Sequence, residues 1–342
     1  MLFRVYSDPT TQDLETLETC MLIDEFQQDL KSMDNYKTTL ERLLNKYPGL
    51  LLYSKKFVLP LPADWPGWYY PKKLIASGWN PSIGIIPEQG PFHVCLNAYE
   101  DVVSNFKFFF DKLFSSVFGG TLASKPKPFK ASLCVTAALV GWQLVRGKVL
   151  EKFGNCKQHE FVTILHLLEH VVPLIFYQYN IFRSGNLKLY EMVMAQLAII
   201  FICWRRKHYD KSTLSFLSDC AYQCKYLPAY WAKKASILKL ITEKKVEVWH
   251  SVLRRNTEKF EDAKNIEDTA KSIASSGFLS EFVQSFVPQY HRGQQSEPNL
   301  WLIAGKSAKF LLDVFMSISQ NCHKSYQVII LKIQKNKFSV YL

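Results

Sequence analysis

The chain has 342 residues, 48% of them hydrophobic and 14% aromatic, and a formal net charge of +12. That composition excludes an intrinsically disordered chain, and only 14 Gly and 15 Pro argue against a turn-rich all-β design. The length allows two or three domains.

Charge is unevenly spread. Residues 1–50 carry 5 Lys/Arg against 9 Asp/Glu, and residues 202–342 carry 22 against 12. A basic second half suits a polyanionic partner, nucleic acid or an acidic membrane surface, and equally suits a solubilising surface. The eight cysteines are scattered without a CxxC pair, and no Asn-X-Ser/Thr acceptor occurs, which points to a reducing, intracellular setting.

In chain order, residues 11–46 read as two acidic helices, with Leu14, Leu17, Met21, Leu22, Phe26 and Leu30 on one face. Pro48-Gly49 breaks that pattern. Leu50 to Leu61 reads as extended and runs into Pro62-Ala63-Asp64-Trp65-Pro66. Asp64 just past a strand is a candidate site residue and also a natural helix cap. A short helix then carries Trp68, Tyr69, Tyr70, Lys72 and Lys73. The run Ile83 to Ile86 reads as a strand stopping at Pro87. The turn Gly90-Pro91 and His93 follow, where α/β proteins place polar groups at a strand's carboxyl end. A long, mostly buried helix is expected over about Phe92 to Phe118, ended by Gly119-Gly120.

Lys125-Pro126-Lys127-Pro128 reads as a stiff basic connector into a helical lobe. Its helices are expected near 130–152, 158–182, 187–207, 213–224 and 228–242. Three apolar stretches here fall short of a clean span of ~20 residues, so buried helices and no membrane partner are expected. Further helices are expected over Val246–Lys259, 265–287 and Leu300 to about Asn321, then a hairpin-like tail. The domain reading is 1–48 acidic helical, 49–120 α/β, 121–245 helical lobe, 246–322 helices completing the core, and 323–342 tail. The fold class is α-dominant α+β, a small mixed β-sheet with a large helical insertion.

Four constellations could carry chemistry. His166-Leu167-Leu168-Glu169-His170 matches the inverted zincin motif H-x-x-E-H, although so short a match often arises by chance. Cys220 and Cys224 share a helix face but lack a second ligand pair. Glu247, His250 and Arg254 form one polar stripe at i, i+3 and i+7, suited to metal and phosphate handling or to a solvated salt bridge. Basic clusters interleave with aromatics at Arg205-Arg206-Lys207, Lys233-Lys234 and Arg254-Arg255. Such clusters can bind phosphates while flat rings stack on bases, unless those rings belong to the core.

With these residues in place, the chain resembles uncharacterised transposon-encoded proteins of eukaryotes, taken to derive from cut-and-paste transposases. The similar segments are Leu61-Pro62-Ala63-Asp64-Trp65-Pro66 with Lys72-Lys73, Gly90-Pro91-Phe92-His93 with Leu96-Asn97-Ala98 and Glu100, and Lys125-Pro126-Lys127-Pro128. Arg206 with His208-Tyr209, and Glu247 with His250-Ser251 and Leu253-Arg254-Arg255, complete them. The resemblance implies an RNase H-like core interrupted by a helical insertion, with Asp64 an early and Glu247 the final carboxylate. These would hold Mg²⁺ or Mn²⁺ for DNA strand cleavage or transfer, with His93 beside them. It also implies an acid in the turn before Phe92-His93, where this chain has Pro91. Glu88 and Glu100 are the nearest acids. The implied partner is DNA and the implied setting nuclear, with cleavage as the ancestral activity, retained or lost. The alternative is a non-enzymatic helical scaffold or DNA-binding interaction module.

Overall fold

The structure is a computed structural model describing residues 28–79, 84–240, 268 and 301–319. The described chain is dominated by helices, with one small parallel sheet, which matches the α-dominant mixed class. It divides into two compact units. The first comprises residues 1–98 and 177–285, the second residues 99–176 and 286–342. This division cuts the expected 121–245 lobe in two.

In the first unit, α1 (Met33–Lys46) is capped by Ser32, whose hydroxyl accepts from the Asn35 amide. Pro48 does not end the helical region. It opens α2 (Pro48–Lys56), so the expected extended run begins only at β1 (Leu59–Ala63). The physical reason is positional. Proline is preorganised for a helix's first turn, and Lys55 and Lys56 fall in the last turn, where cations suit the helix dipole.

β1 leads into α3 (Trp65–Ala76), and β2 (Ile85–Gln89) pairs parallel with β1, Leu59 opposite Ile85 and Ala63 opposite Gln89. β2 runs through Pro87 instead of stopping before it. The ladder explains how. Leu59 N–H donates to the Gly84 carbonyl at 2.6 Å, and Gly90 N–H donates to the Ala63 carbonyl at 2.8 Å. With the two-residue period, Leu59, Leu61 and Ala63 therefore face β2, while Pro60 and Pro62 face outward. By the same alternation Pro87 faces the outer edge of β2. Each proline's missing N–H thus falls where no ladder bond is needed.

α4 (Pro91–Asn105) starts in the first unit and continues into the second. The helix expected over Phe92–Phe118 is broken at Phe106, and α5 (Lys107–Phe118) follows, closed by Gly119 in the left-handed region at φ 72°. Next are α6 (Pro128–Phe153) and α7 (His159–His166). A π-helical turn (Leu167–Val171) leads into α8 (Val172–Arg183). α9 (Leu187–Cys203), α10 (Tyr209–Tyr226) and α11 (Pro228–Leu240) return to the first unit. A final helix, α12, covers 301–319. The expected helices at 246–259 and 265–287 and the hairpin-like tail lie outside the described residues, apart from helical Asp268.

The core of the second unit is mostly apolar, with Asp101, Ser132, Thr136 and Ser307 also buried. Phe109, Phe110 and Leu113 of α5, Phe161 and Leu168, and Leu311 and Phe315 of α12 are fully buried or nearly so. Phe315 meets Trp142 and Phe161 at ring-centroid distances of 5.7 and 5.1 Å, and Phe109 meets Phe310 at 5.7 Å. α6 and α12 approach closely because position 141 is glycine. A side chain there would strike Ser307, whose backbone carbonyl carbon would lie 2.9 Å from the added carbon. Ser307 Oγ donates across this contact to the Ala137 carbonyl at 2.6 Å.

Two helices, Pro128–Phe153 and His159–Gln178, are long and apolar enough by length and composition to cross a membrane. The residue pattern had placed each short of such a span. In α6 the run Ala131–Leu139 is buried throughout, as expected of a core helix.

Candidate functional site

The carboxyl end of the β1–β2 pair is where a parallel sheet offers a site, and the structure brings two acidic residues there. Asp64 follows β1 directly. Its Oδ1 accepts from the Gly67 amide at 3.0 Å, so it is the N-cap of α3. Gly67 is required in that first turn, since a Cβ would lie 2.6 Å from the Ala63 Cβ. The cap role weighed for Asp64 is therefore the one its carboxylate performs.

The second acid is Glu88, near the end of β2, with its side chain 1% exposed. Its Oε2 accepts from Lys234 Nζ at 2.8 Å. Its Oε1 accepts from Lys234 Nζ at 2.9 Å, the Tyr230 hydroxyl at 2.8 Å and Gln223 Nε2 at 3.1 Å. Lys234 Nζ also donates to Gln223 Oε1 at 2.6 Å and sits 5.1 Å from the Phe216 ring centre. The neighbouring Gln89 donates from Nε2 to Ser212 Oγ at 2.6 Å. This cluster joins the strand to α10 and α11. Burial, then the Glu88 charge, pushes the Tyr230 phenol far up, and burial does the same to the nearby Cys220 thiol. Neither group is a nucleophile at neutral pH. Among the described residues, the Glu88 carboxylate is taken up by Lys234, Tyr230 and Gln223.

Lys234 is consequently a correction. Expected at a nucleic-acid surface, it is 0% exposed and neutralises Glu88. Its neighbour Lys233 is exposed. Lys72 makes a second link in this unit, pairing with Asp219 and bonding Ser215 Oγ at 3.1 Å. His93 lies in the first turn of α4, its ring edge-on to Phe92 at 5.4 Å and its carbonyl accepting from Asn97 Nδ2 at 2.7 Å. Glu247, Arg254 and Arg255 lie outside the described residues.

The expected Mg²⁺ or Mn²⁺ site joins Asp64 to Glu247, which lies outside the described residues. No group of three or more His, Cys, Asp or Glu able to hold a metal occurs among them. Asp64 is committed to a helix cap and Glu88 to an ammonium. The H-x-x-E-H segment also departs from a zinc site. Glu169 pairs with Arg146 at 2.7 Å and bonds Trp142 Nε1, and the Arg146 hydrogen bond holds its carboxyl below the usual range. His166, the last residue of α7, and His170, on the π-helical turn, stand with ring centres 5.2 Å apart.

The remaining basic residues meet at the turn between α9 and α10. Arg205 and Lys207 are exposed, and among the described residues neither has a carboxylate partner. Arg206 Nε donates to Asn97 Oδ1 at 3.1 Å. The His208 ring stacks on Trp65 at 3.6 Å, and Trp65 stacks on Tyr69 at 4.6 Å. Tyr69 meets Tyr70 edge-on, and Tyr70 stacks on Tyr36 at 4.9 Å, so five rings form a ladder beside Asp64. Burial, then the Asp64 charge, raises the Tyr36 phenol to about 12. Burial and Lys207 hold the His208 imidazole below its ordinary value, so it is mainly neutral at pH 7. The basic-aromatic interleaving pointed to this turn, but nothing in the residue pattern paired His208 with Trp65.

No family profile, no curated protein and no solved structure matches the chain.

Proposed function

We propose that the chain is a DNA-binding protein of transposase descent, carrying a remnant of an RNase H-like core from which metal-dependent strand cleavage has been lost. The observation that carries the binding half is the α9–α10 turn. Arg205 and Lys207 are exposed there, with no carboxylate partner among the described residues, beside an aromatic ladder, in the basic half of the chain. The loss of cleavage draws on the carboxylates at the strand ends, one capping a helix and the other bound to Lys234. The test has two arms. Binding of labelled DNA should weaken steeply as salt rises, because each phosphate contact releases a counterion. Incubation with Mg²⁺ or Mn²⁺ should give the same background for the native chain and Glu247→Gln. Cleavage by the native chain alone would restore the enzyme reading.

A helical interaction scaffold is the second reading, and a separate observation favours it. Leu189, Met192, Ile199 and Ile202 line one exposed face of α9, with Ile199 63% exposed. Exposed apolar side chains grouped on one helix face, here around the exposed Gln196, suit a protein contact. Replacing Met192 and Ile199 by Gln would remove such an association and leave DNA binding unchanged.

A further inference from the structure

The turn between α9 and α10 is built against the preference of its own backbone. Arg205 N–H donates to the Ile202 carbonyl at 3.1 Å and Arg206 N–H to the Phe201 carbonyl at 2.8 Å. That pair of bonds is a Schellman closure, which places Arg205 at the left-handed C′ position, with φ 53°. Elsewhere among the described residues, glycine fills the left-handed positions that follow helices. Gly78 (φ 88°), Gly119 (φ 72°) and Gly185 (φ 77°) follow α3, α5 and α8. Three residues on, His208 also has positive φ, 79°, and its ring lies against Trp65. These are the two non-glycine residues with positive φ among the described residues, and both flank the exposed Lys207.

Glycine would relieve the backbone at either position, so the side chains are what the turn keeps. Arg205 supplies an exposed guanidinium that no carboxylate among the described residues pairs with. His208 supplies a flat, mainly neutral ring continuing the Trp65–Tyr69 stack, whose two rings are within 13° of parallel. All three rings are half-buried and so retain surface. Lys73 lies over the Tyr69 ring at 6.0 Å, and Lys211 is exposed one turn into α10. Cations beside a stepped stack of rings match a strand whose phosphates and bases are both accessible. In a duplex the base faces are covered, and such rings have nothing to stack on.

We infer that the α9–α10 turn is a binding site for unpaired DNA, with Arg205 and Lys207 on its phosphates and a splayed base added to the His208–Trp65 stack. This rests on the DNA-binding reading above and names the form of DNA it takes.

The experiment uses the full chain, a fluorescein-labelled oligo-dT and a labelled duplex of equal length, with anisotropy read over a salt series. The native chain should bind the single strand about tenfold more tightly than the duplex, the effect expected of one base stack. Arg205→Gly should raise Tm by about 1–3 °C, because glycine suits the left-handed position. It should also weaken single-strand binding and reduce the salt slope by about 0.7, the loss of one phosphate contact. His208→Gly should weaken single-strand binding and leave the duplex unaffected. Trp65→Phe should lose the part of the tryptophan quenching that the native chain shows on adding oligo-dT. Equal affinity for strand and duplex, or an Arg205→Gly chain that is more stable and binds as before, would overturn this inference and leave DNA binding intact. Absence of binding to either probe at low salt would overturn both.

Discussion

The two units bury different things. The second packs Phe109, Phe110, Phe161 and Phe315 around a helix contact made possible by Gly141. The first places a carboxylate, an ammonium, a phenol and two amides in its interior, with Glu88 and Lys234 essentially sealed from solvent. An apolar core tolerates volume-conserving exchange and loses uniqueness gradually. A buried ion pair is specific about its partner. Losing one member leaves an uncompensated charge, while losing both can cost little. The α/β unit is therefore the one whose identity depends on a few named polar side chains.

That contrast can be broken most severely at Lys234. Lys234→Met should destabilise the first unit by about 3–5 kcal/mol, read from urea unfolding, because Glu88 stays buried and unpaired. The double change Lys234→Met with Glu88→Leu should recover most of that loss. If the single change is tolerated, the pair is not what holds β2 to α11. Gly141→Ala comes next, at about 1–3 kcal/mol, since the added carbon meets the backbone of Ser307 as well as its hydroxyl. A smaller effect is expected at the strand end. Asp64→Ala should cost about 1 kcal/mol and Asp64→Asn much less, because asparagine also caps. Equal losses for Ala and Asn would show that the charge itself matters there. The smallest effect is on acid stability. The Glu169 carboxyl is held below its ordinary value of 4.5, chiefly by Arg146. Its contribution is present above that value and lost as pH falls through the lowered one, so Glu169→Gln should flatten this part of the acid limb.

Much of the helical layout was legible in the residues. Gly119 ends α5 as expected, Asp64 caps α3, and the helices of the 128–240 region fall within a few residues of their expected bounds. The misses share a cause. Pro48 and Pro87 were read as breaks. Instead they sit at a helix start and at an outward strand position, where proline's missing N–H costs nothing. The division into units was hidden because it depends on segments far apart in sequence, such as α6 with α12. At the candidate site, the basic clusters were visible but their fates were not. Lys233 and Lys234 are adjacent in sequence and opposite in burial, and only the position of Glu88, 146 residues from Lys234, decides which one turns inward. The left-handed Arg205 leaves no mark in the residue pattern at all.

The prolines of the small sheet have a consequence for how the molecule can meet others. Pro60 and Pro62 line the outer edge of β1, and Pro87 interrupts that of β2, so neither edge presents a continuous row of donors. A peptide or a second copy adding a strand to this sheet would find no continuous row of N–H donors on either edge. The sheet is in this sense self-terminating: it guards against edge-to-edge aggregation, and it leaves recognition to side chains carried by helices and the turns between them.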